Sequence, residues 1–261
     1  MRGLVGNSPW ETSFTEGRHM SRLQVVTSSR AALVAVATAL VGLVMVGCGP
    51  TTTDAKPSPT GPKTNGIDKL GVQQIIDKAV EAAGDADTLH AKGEGTENGT
   101  QVELDVRIKP GKGGVGYVVT DGLRMDIIVV DDSIYMKADK EYWTKYAGAQ
   151  AAQVIGDKWA KASTKQKDFA DLLDLFDAKQ TVQESLKYTG GLPRKGKPEK
   201  VDGQLVQPLV DRDGAKAYVA LTGEPRLVKV VDKDGKASTF TYDETFTLKA
   251  PPANNVFDLT R

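Results

Sequence analysis

Gln101-Val-Glu-Leu-Asp-Val-Arg-Ile-Lys109 alternates without a break. Val102, Leu104, Val106 and Ile108 fall on one face, and Glu103, Asp105 and Arg107 on the other. A period of two with one charged side marks a half-buried antiparallel strand. Residues 89–95 are its expected partner, with the turn at Glu97-Asn98-Gly99. Residues 114–120, 123–130 and 133–138 continue a meander. Its turns are Asp121-Gly122 and Asp131-Asp132, the first a strong hairpin signal. Tyr142 and Trp143 close this half.

A second set of strands lies further along. Residues 201–210, 215–221, 225–231 and 237–242 are strand-like, separated by Asp213-Gly214, Thr222-Gly223 and Asp234-Gly235. Shorter runs around Phe246 and Leu248 end at Pro251-Pro252. Between the two β-rich halves the chain reads as helical. Residues 147–156 are rich in small side chains, so something packs closely against them. Ser163 and Gln166 form a capping box for a run whose Phe169, Leu172, Leu173 and Phe176 make an apolar stripe. Ahead of all the strands, Val72, Ile75, Ile76, Ala79, Val80 and Ala83 recur at helical spacing, and Gly84 stops them. No linker composition separates the halves. The expectation is one α+β domain over residues 67–261: a single continuous antiparallel sheet with helices crossing one face.

The N-terminal quarter is of another kind. Ala31-Ala-Leu-Val-Ala-Val-Ala-Thr-Ala-Leu-Val-Gly-Leu-Val-Met-Val-Gly-Cys48 carries no charge and ends at the only cysteine in the chain. Arg22 and Arg30 precede it. A basic stretch, an apolar segment and a small residue at the cut is the layout of a secretory signal peptide. Met45-Val46-Gly47-Cys48 looks like a bacterial lipobox, with Met45 where leucine is usual. Residues 1–47 are therefore expected to be removed, and Cys48 to carry a diacylglycerol and an N-acyl group. Met1 to His19 hold acids and a Trp ahead of the basic stretch, so Met20 is the better start. Residues 48–66 are Thr, Pro, Gly, Lys and Asn, too polar to offset their ordering entropy. They read as a disordered tether to the outer face of the cell membrane.

The full chain balances 34 basic against 34 acidic residues. Removing residues 1–47 takes four basic and two acidic ones, leaving 214 residues with 30 against 32. Near-neutrality argues against a nucleic-acid partner. With its one thiol acylated, the processed chain can form no disulfide, and His90 is its only histidine. A zinc site is thus not expected, and His90 reads as a surface residue near a strand start. Gly111-Lys-Gly-Gly-Val-Gly116 has the glycines of a phosphate loop but lacks its Lys-[Ser/Thr] ending and runs into a strand. Asn98-Gly-Thr100 fits a glycosylation acceptor, which means little beside a bacterial lipobox. Asp171, Asp174 and Asp177 recur every three residues without a calcium-loop glycine and read as a solvated helix face. No pair of carboxylates is marked as acid and base, so no enzyme, no metal and no cofactor beyond the covalent acyl groups is expected.

Taken with the lipobox, certain stretches carry a resemblance: Ile134-Tyr135-Met136-Lys137 followed by Tyr142-Trp143, Gly156-Asp157-Lys158-Trp159, Ala220-Leu-Thr-Gly-Glu-Pro225 with Leu227 and Val228, and Pro251-Pro252. Over residues 67–260 the chain resembles the LppX/LprA/LprF/LprG family of actinobacterial lipoproteins, related in shape to the periplasmic lipid carriers LolA and LolB. The resemblance implies a strongly curved half-barrel sheet with helices on its concave side. It also implies an apolar cavity between them that takes the acyl chains of a lipid or lipoglycan, and an envelope transporter as a candidate partner. A monomer is expected. Val106, Tyr117, Val119, Met125, Ile127 and Met136 of the first meander are the expected lining, with Ile155, Phe169, Leu172 and Phe176 above them. Methionines adapt to irregular ligands, and small helix residues leave room. The competing expectation is a filled cavity, in a sensor or protein-interaction lipoprotein.

Overall fold

The computed structural model describes residues 63–97, 100–188 and 191–259. The export segment, Cys48 and residues 49–62 of the expected tether lie outside the described residues, whereas Asn65 near its end is held, its N–H donating to the Leu221 carbonyl at 2.8 Å. After a 3-10 turn, Ile67–Lys69, comes α1 (Val72–Gly84). Ile75, Ala79 and Ala83 on its buried stripe are the residues its periodicity selects. Five strands then run as a meander: β1 (Leu89–Glu97), β2 (Thr100–Lys109), β3 (Gly113–Thr120), β4 (Leu123–Val130) and β5 (Ser133–Ala138). Asp121 and Gly122 both have positive φ, 53° and 77°, as a two-residue hairpin turn of this type demands.

The middle is α2 (Lys140–Ile155), β6 (Trp159–Ser163), α3 (Ala170–Asp174) and α4 (Ala178–Ser185). Next come β7 (Arg194–Lys195), β8 (Glu199–Val201), β9 (Gln204–Val210), β10 (Lys216–Ala220), β11 (Leu227–Val231) and β12 (Ala237–Tyr242), and finally β13 (Val256–Asp258). All thirteen strands form one sheet, in the order β13-β6-β5-β4-β3-β2-β1-β12-β11-β10-β9-β7, with β8 on β9. The sheet is curved and does not close. It is antiparallel throughout except where β13 lies parallel on β6. The pairing of β1 with β12, Ala91 opposite Phe240, joins the two halves.

The middle of the chain departs from the sequence reading. Tyr142 and Trp143 follow the meander as expected, but within a helix. They stand in the first turn of α2, because the Asp139 carboxylate accepts from the Tyr142 N–H at 2.8 Å and starts the helix there. Trp159 begins a strand, where helix was expected to follow. Gln166 does accept from the Ser163 N–H at 3.3 Å, but Ser163 Oγ takes the Lys165 N–H and the turn that follows is 3-10. Asp177, read as part of a solvated face, accepts from Gln180 N–H and starts α4. The run 201–210 is a hairpin, not one strand: Asp202 and Gly203 turn it, with φ of 50° and 82°.

The core lies between the concave face and the helices. Leu89 and Ala91 of β1, Val106 and Ile108 of β2, Met125, Ile127 and Val129 of β4, and Ile134 and Met136 of β5 share one core with the buried residues of α1, α2 and α4. α1 packs on α4, and α2 lies over β4.

Candidate functional site

Paired residues of antiparallel neighbours share a face. Val106 faces Gly116, and Leu104 faces Val118, so β3 turns Gly114, Gly116 and Val118 toward the helices. Tyr117 and Val119 pair instead with Asp105 and Glu103 and lie on the outer face. This overturns their place in the expected lining. Val115, Tyr117 and Val119 look like the apolar side of an alternating strand, but glycines occupy the inner side because a helix needs the space. A Cβ on Gly114 would stand 2.7 Å from the Phe176 ring and 2.3 Å from the Arg107 carbonyl oxygen. Tyr117 is accordingly polar in its contacts. Its hydroxyl donates to Glu103 at 2.9 Å, which raises its pKa, and the Arg124 guanidinium lies 3.6 Å over its ring.

The remaining expected residues are on the inner side. Val106, Met125, Ile127, Met136, Ile155, Phe169 and Phe176 are buried in one cluster, and Leu172 packs half-buried against it. These side chains fill the concave face. Over this part of the sheet the described residues form a filled face, not the wide open cavity implied by the resemblance. Interior packing at crystal-like density leaves no room once Phe169, Phe176 and Trp143 point into the hollow.

Among the described residues, a narrow slot of about 30 Å³ lies under α2. Met136 of β5, Trp143, Ala147, Ala151 and Ile155 of α2, and Phe169 wall it together with Leu259, Gln166 and Asp168. Met136, Ile155 and Phe169 were expected there. Trp143 was not, although a legible signal exists: Trp143, Ala147, Ala151 and Ile155 recur every four residues, one stripe of a helix. Gly148 interrupts that helix with φ 88° and ψ 159°. Gly156 ends it with φ 57° and ψ −132°. Residues 149–155 thus form a short helical rung between two glycines, each in a conformation that side chains resist. Val154 on the rung's outer side is 52% exposed and Tyr146 just before it 37%.

Trp143 carries the one polar feature inside. It is 3% exposed, and its indole Nε1–H has no acceptor among the described residues. Tyr142 stands edge-on to it at 5.6 Å, and burial pushes the Tyr142 hydroxyl up to about 12.

Two larger clefts, of about 400 and 300 Å³, carry charged side chains in their walls. One lies between Asn65, Lys78, Glu81, Asp85 and Glu224, the other over Lys92, Glu94, Glu103 and Thr239 on the outer face. Beside the second, His90 is not a free surface residue. Its ring nitrogens meet Asp105 at 2.8 Å and Glu244 at 3.1 Å, and Arg107 and Lys92 also reach Asp105. Burial alone would raise the Asp105 carboxyl, but His90, Arg107 and Lys92 together hold it below the usual carboxylate range. Thr241 and His90 lower Glu244 likewise. With two cations on one carboxylate, the cluster is a salt-bridge network, not a metal ligand set. Among the described residues no group of three His, Cys, Asp or Glu side chains is placed to hold a metal ion. None of the described helices is long and apolar enough to cross a membrane.

The fold and slot together define a class: an α+β protein with an open, curved sheet whose concave face is closed by helices over a small apolar slot. Neither a protein-family model nor a curated protein matches the sequence. Solved structures do. LprF from Mycobacterium bovis is similar at 14% identity and a TM-score of 0.40, covering 69% of this chain and 96% of that one. An uncharacterized conserved protein from Thermus thermophilus is similar at 12% and 0.34, covering 72% and 99%. A LolA superfamily protein from Nitrosomonas europaea is similar at 12% and 0.23, covering 71% and 96%. LprF bears one of the names of the family the sequence resembles. Likeness at this level speaks to neither ligand nor activity.

Proposed function

We propose that this chain is an exported lipoprotein, held by acylated Cys48 on the outer face of the cell membrane. It binds the acyl chains of a lipid or lipoglycan under α2 and carries or presents them in the cell envelope, without enzymatic chemistry. The observation that carries this reading is the slot itself: apolar walls beneath a rung of small residues bracketed by Gly148 and Gly156. The present geometry is the closed form. The rung's inner side holds little, with Ala152 and Ile155 its buried side chains. Exposing Ile155 and its alanine neighbours costs about 2–4 kcal/mol, and burying about five methylenes of a chain away from water returns as much. Ligand pockets normally span several hundred Å³, so the rung must lift for a chain to enter.

The filled concave face favours a second reading, a sensor or protein-interaction lipoprotein using exposed Tyr146 and Val154. Native mass spectrometry of unlipidated residues 67–261 from the native host separates the two. A mass excess removable by organic extraction is expected. A chain that is always bare, with no lipid taken up on incubation, would leave the interaction reading. For the anchor, Cys48→Ala is expected to leave an unlipidated precursor that loses stable attachment; a single covalent lipid with two or three chains suffices to hold the wild type.

A further inference from the structure

We infer that one edge of the sheet is a docking surface for the anionic lipid headgroups of the membrane that holds Cys48. This rests on the anchored-lipoprotein reading and adds which side of the domain meets the lipid. The surface is Leu192-Pro-Arg-Lys-Gly-Lys-Pro-Glu-Lys200. Its two short strands, β7 and β8, both pair with β9, Arg194 opposite Val210 and Lys200 opposite Leu205, and so border the sheet. Arg194, Lys195, Lys197 and Lys200 are exposed, with Glu199 the one acid between them. Four cations against one acid stand out in a processed chain of 30 against 32. Among the described residues Arg194, Lys197 and Lys200 enter no ion pair. Leu192 beside them is 60% exposed, against 52% for Val154 and 37% for Tyr146.

The entry point of the chain sets the orientation. The Lys195 ammonium donates to the carbonyls of Asp68 at 2.9 Å and Leu70 at 2.8 Å. The basic edge is thus tied to the segment through which the chain enters the domain, where Lys69 is also exposed. Lys63, the first described residue, follows Cys48 by fifteen residue steps, and chain of that length reaches at most about 50 Å. Basic residues close to an anchor attract anionic lipid, and a lipid chain with a polybasic patch is a common pair of membrane signals. Lysines on an edge strand also discourage pairing with another sheet. That role alone does not account for bare Leu192, nor for the opposite edge, where β13 carries Val256, Phe257 and Asp258 and no cation. The cleft walled by Glu81, Asp85 and Glu224 shares none of the residues of the basic edge.

The test uses the mature chain, purified from membranes and reconstituted into vesicles of phosphatidylcholine, alone or with about a third phosphatidylglycerol. A bimane label is placed on Leu192→Cys, and in a separate preparation on Val154→Cys. Brominated lipid quenches a label that touches the bilayer. The Leu192→Cys label is expected to be quenched in the anionic vesicles only, and high salt should relieve the quenching. Arg194→Gln, Lys197→Gln and Lys200→Gln should each lower the docked-to-free ratio about fivefold. Lys195 is left in place because it fastens Asp68 and Leu70. A Leu192→Cys label that stays bright in both vesicles, or quenching at Val154→Cys in its stead, would overturn the docking surface. Equal quenching in both vesicles would overturn its preference for anionic lipid. The anchor is read separately: a mature chain without acyl mass that does not float with phosphatidylcholine vesicles would overturn the lipoprotein reading. A chain that floats while the Leu192→Cys label stays bright would overturn the docking surface alone.

Discussion

Val106 and Val119 carry the same side chain on opposite sides of one sheet. Val106 is buried against the helices, and Val119 sits half-buried outside, opposite Arg124. Val106→Asp places an unpaired carboxylate in a filled core, a cost of several kcal/mol, and is expected to abolish the cooperative urea transition. Val119→Asp meets Arg124 across the strands and should change stability by less than about 1 kcal/mol. Equal effects of the two would mean that the register of β3 is wrong. Asp105 makes a second prediction at this scale. Its carboxyl and that of Glu244 lie below their ordinary values when folded. Their contribution is complete above the unfolded values, about 3.9 and 4.3. It fades as pH falls through the lower folded ones. Thermal melts should therefore lose stability below about pH 4. Asp105→Asn should lower stability at neutral pH and make that acid limb shallower. Glu244 is the more exposed and better screened partner, so Glu244→Gln should do less. An Asp105→Asn melt whose acid limb matches the wild type would exclude the cluster as its source.

Among the elements, β3 and α2 show how packing overrides pattern. Gly114, on the inner side of β3, leaves the space that the Phe176 ring takes. Gly114→Val is expected to cost about 1–3 kcal/mol or more by overpacking, read as a lower denaturation midpoint with an unchanged slope. Val at the outward position 115 is native to the same strand, so strand propensity is not the cause. α2 is amphipathic only in its Trp143–Ala147–Ala151–Ile155 stripe, and Gly148 breaks its backbone in the middle. That stripe was legible in the sequence at four-residue spacing. The break was not, since a lone glycine in a helical run is tolerated as often as it kinks.

For the whole molecule, the seam between β1 and β12 makes the two β-rich halves one sheet, and their inner residues belong to one core. Urea unfolding should be a single transition. Trp143 and Trp159 fluorescence reports on the helices and the β6 edge, and far-ultraviolet circular dichroism on all the strands. The two curves should coincide. Curves with separate midpoints would show that the halves fold as independent domains. The order of strands along each half, the Asp121-Gly122 turn and α1 could all be read from the chain alone. Each depends on residues within a few positions of one another: a period of two, a period of 3.6, or a glycine after an aspartate. Val106, Met125, Ile127 and Met136 were legible as inner-face residues for the same reason, since alternation along β2, β4 and β5 does separate two faces. Which of those faces is inner is a long-range property. In β3 the valines and Tyr117 point out because the hairpin register pairs them with Asp105 and Glu103. The parallel docking of β13 on β6, the filling of the concave face by Phe169 and Phe176, and the isolation of the Trp143 indole N–H were decided by the tertiary structure alone. Each arises from groups far apart in the chain competing for the same volume or the same hydrogen-bond partner, and no local pattern records the outcome.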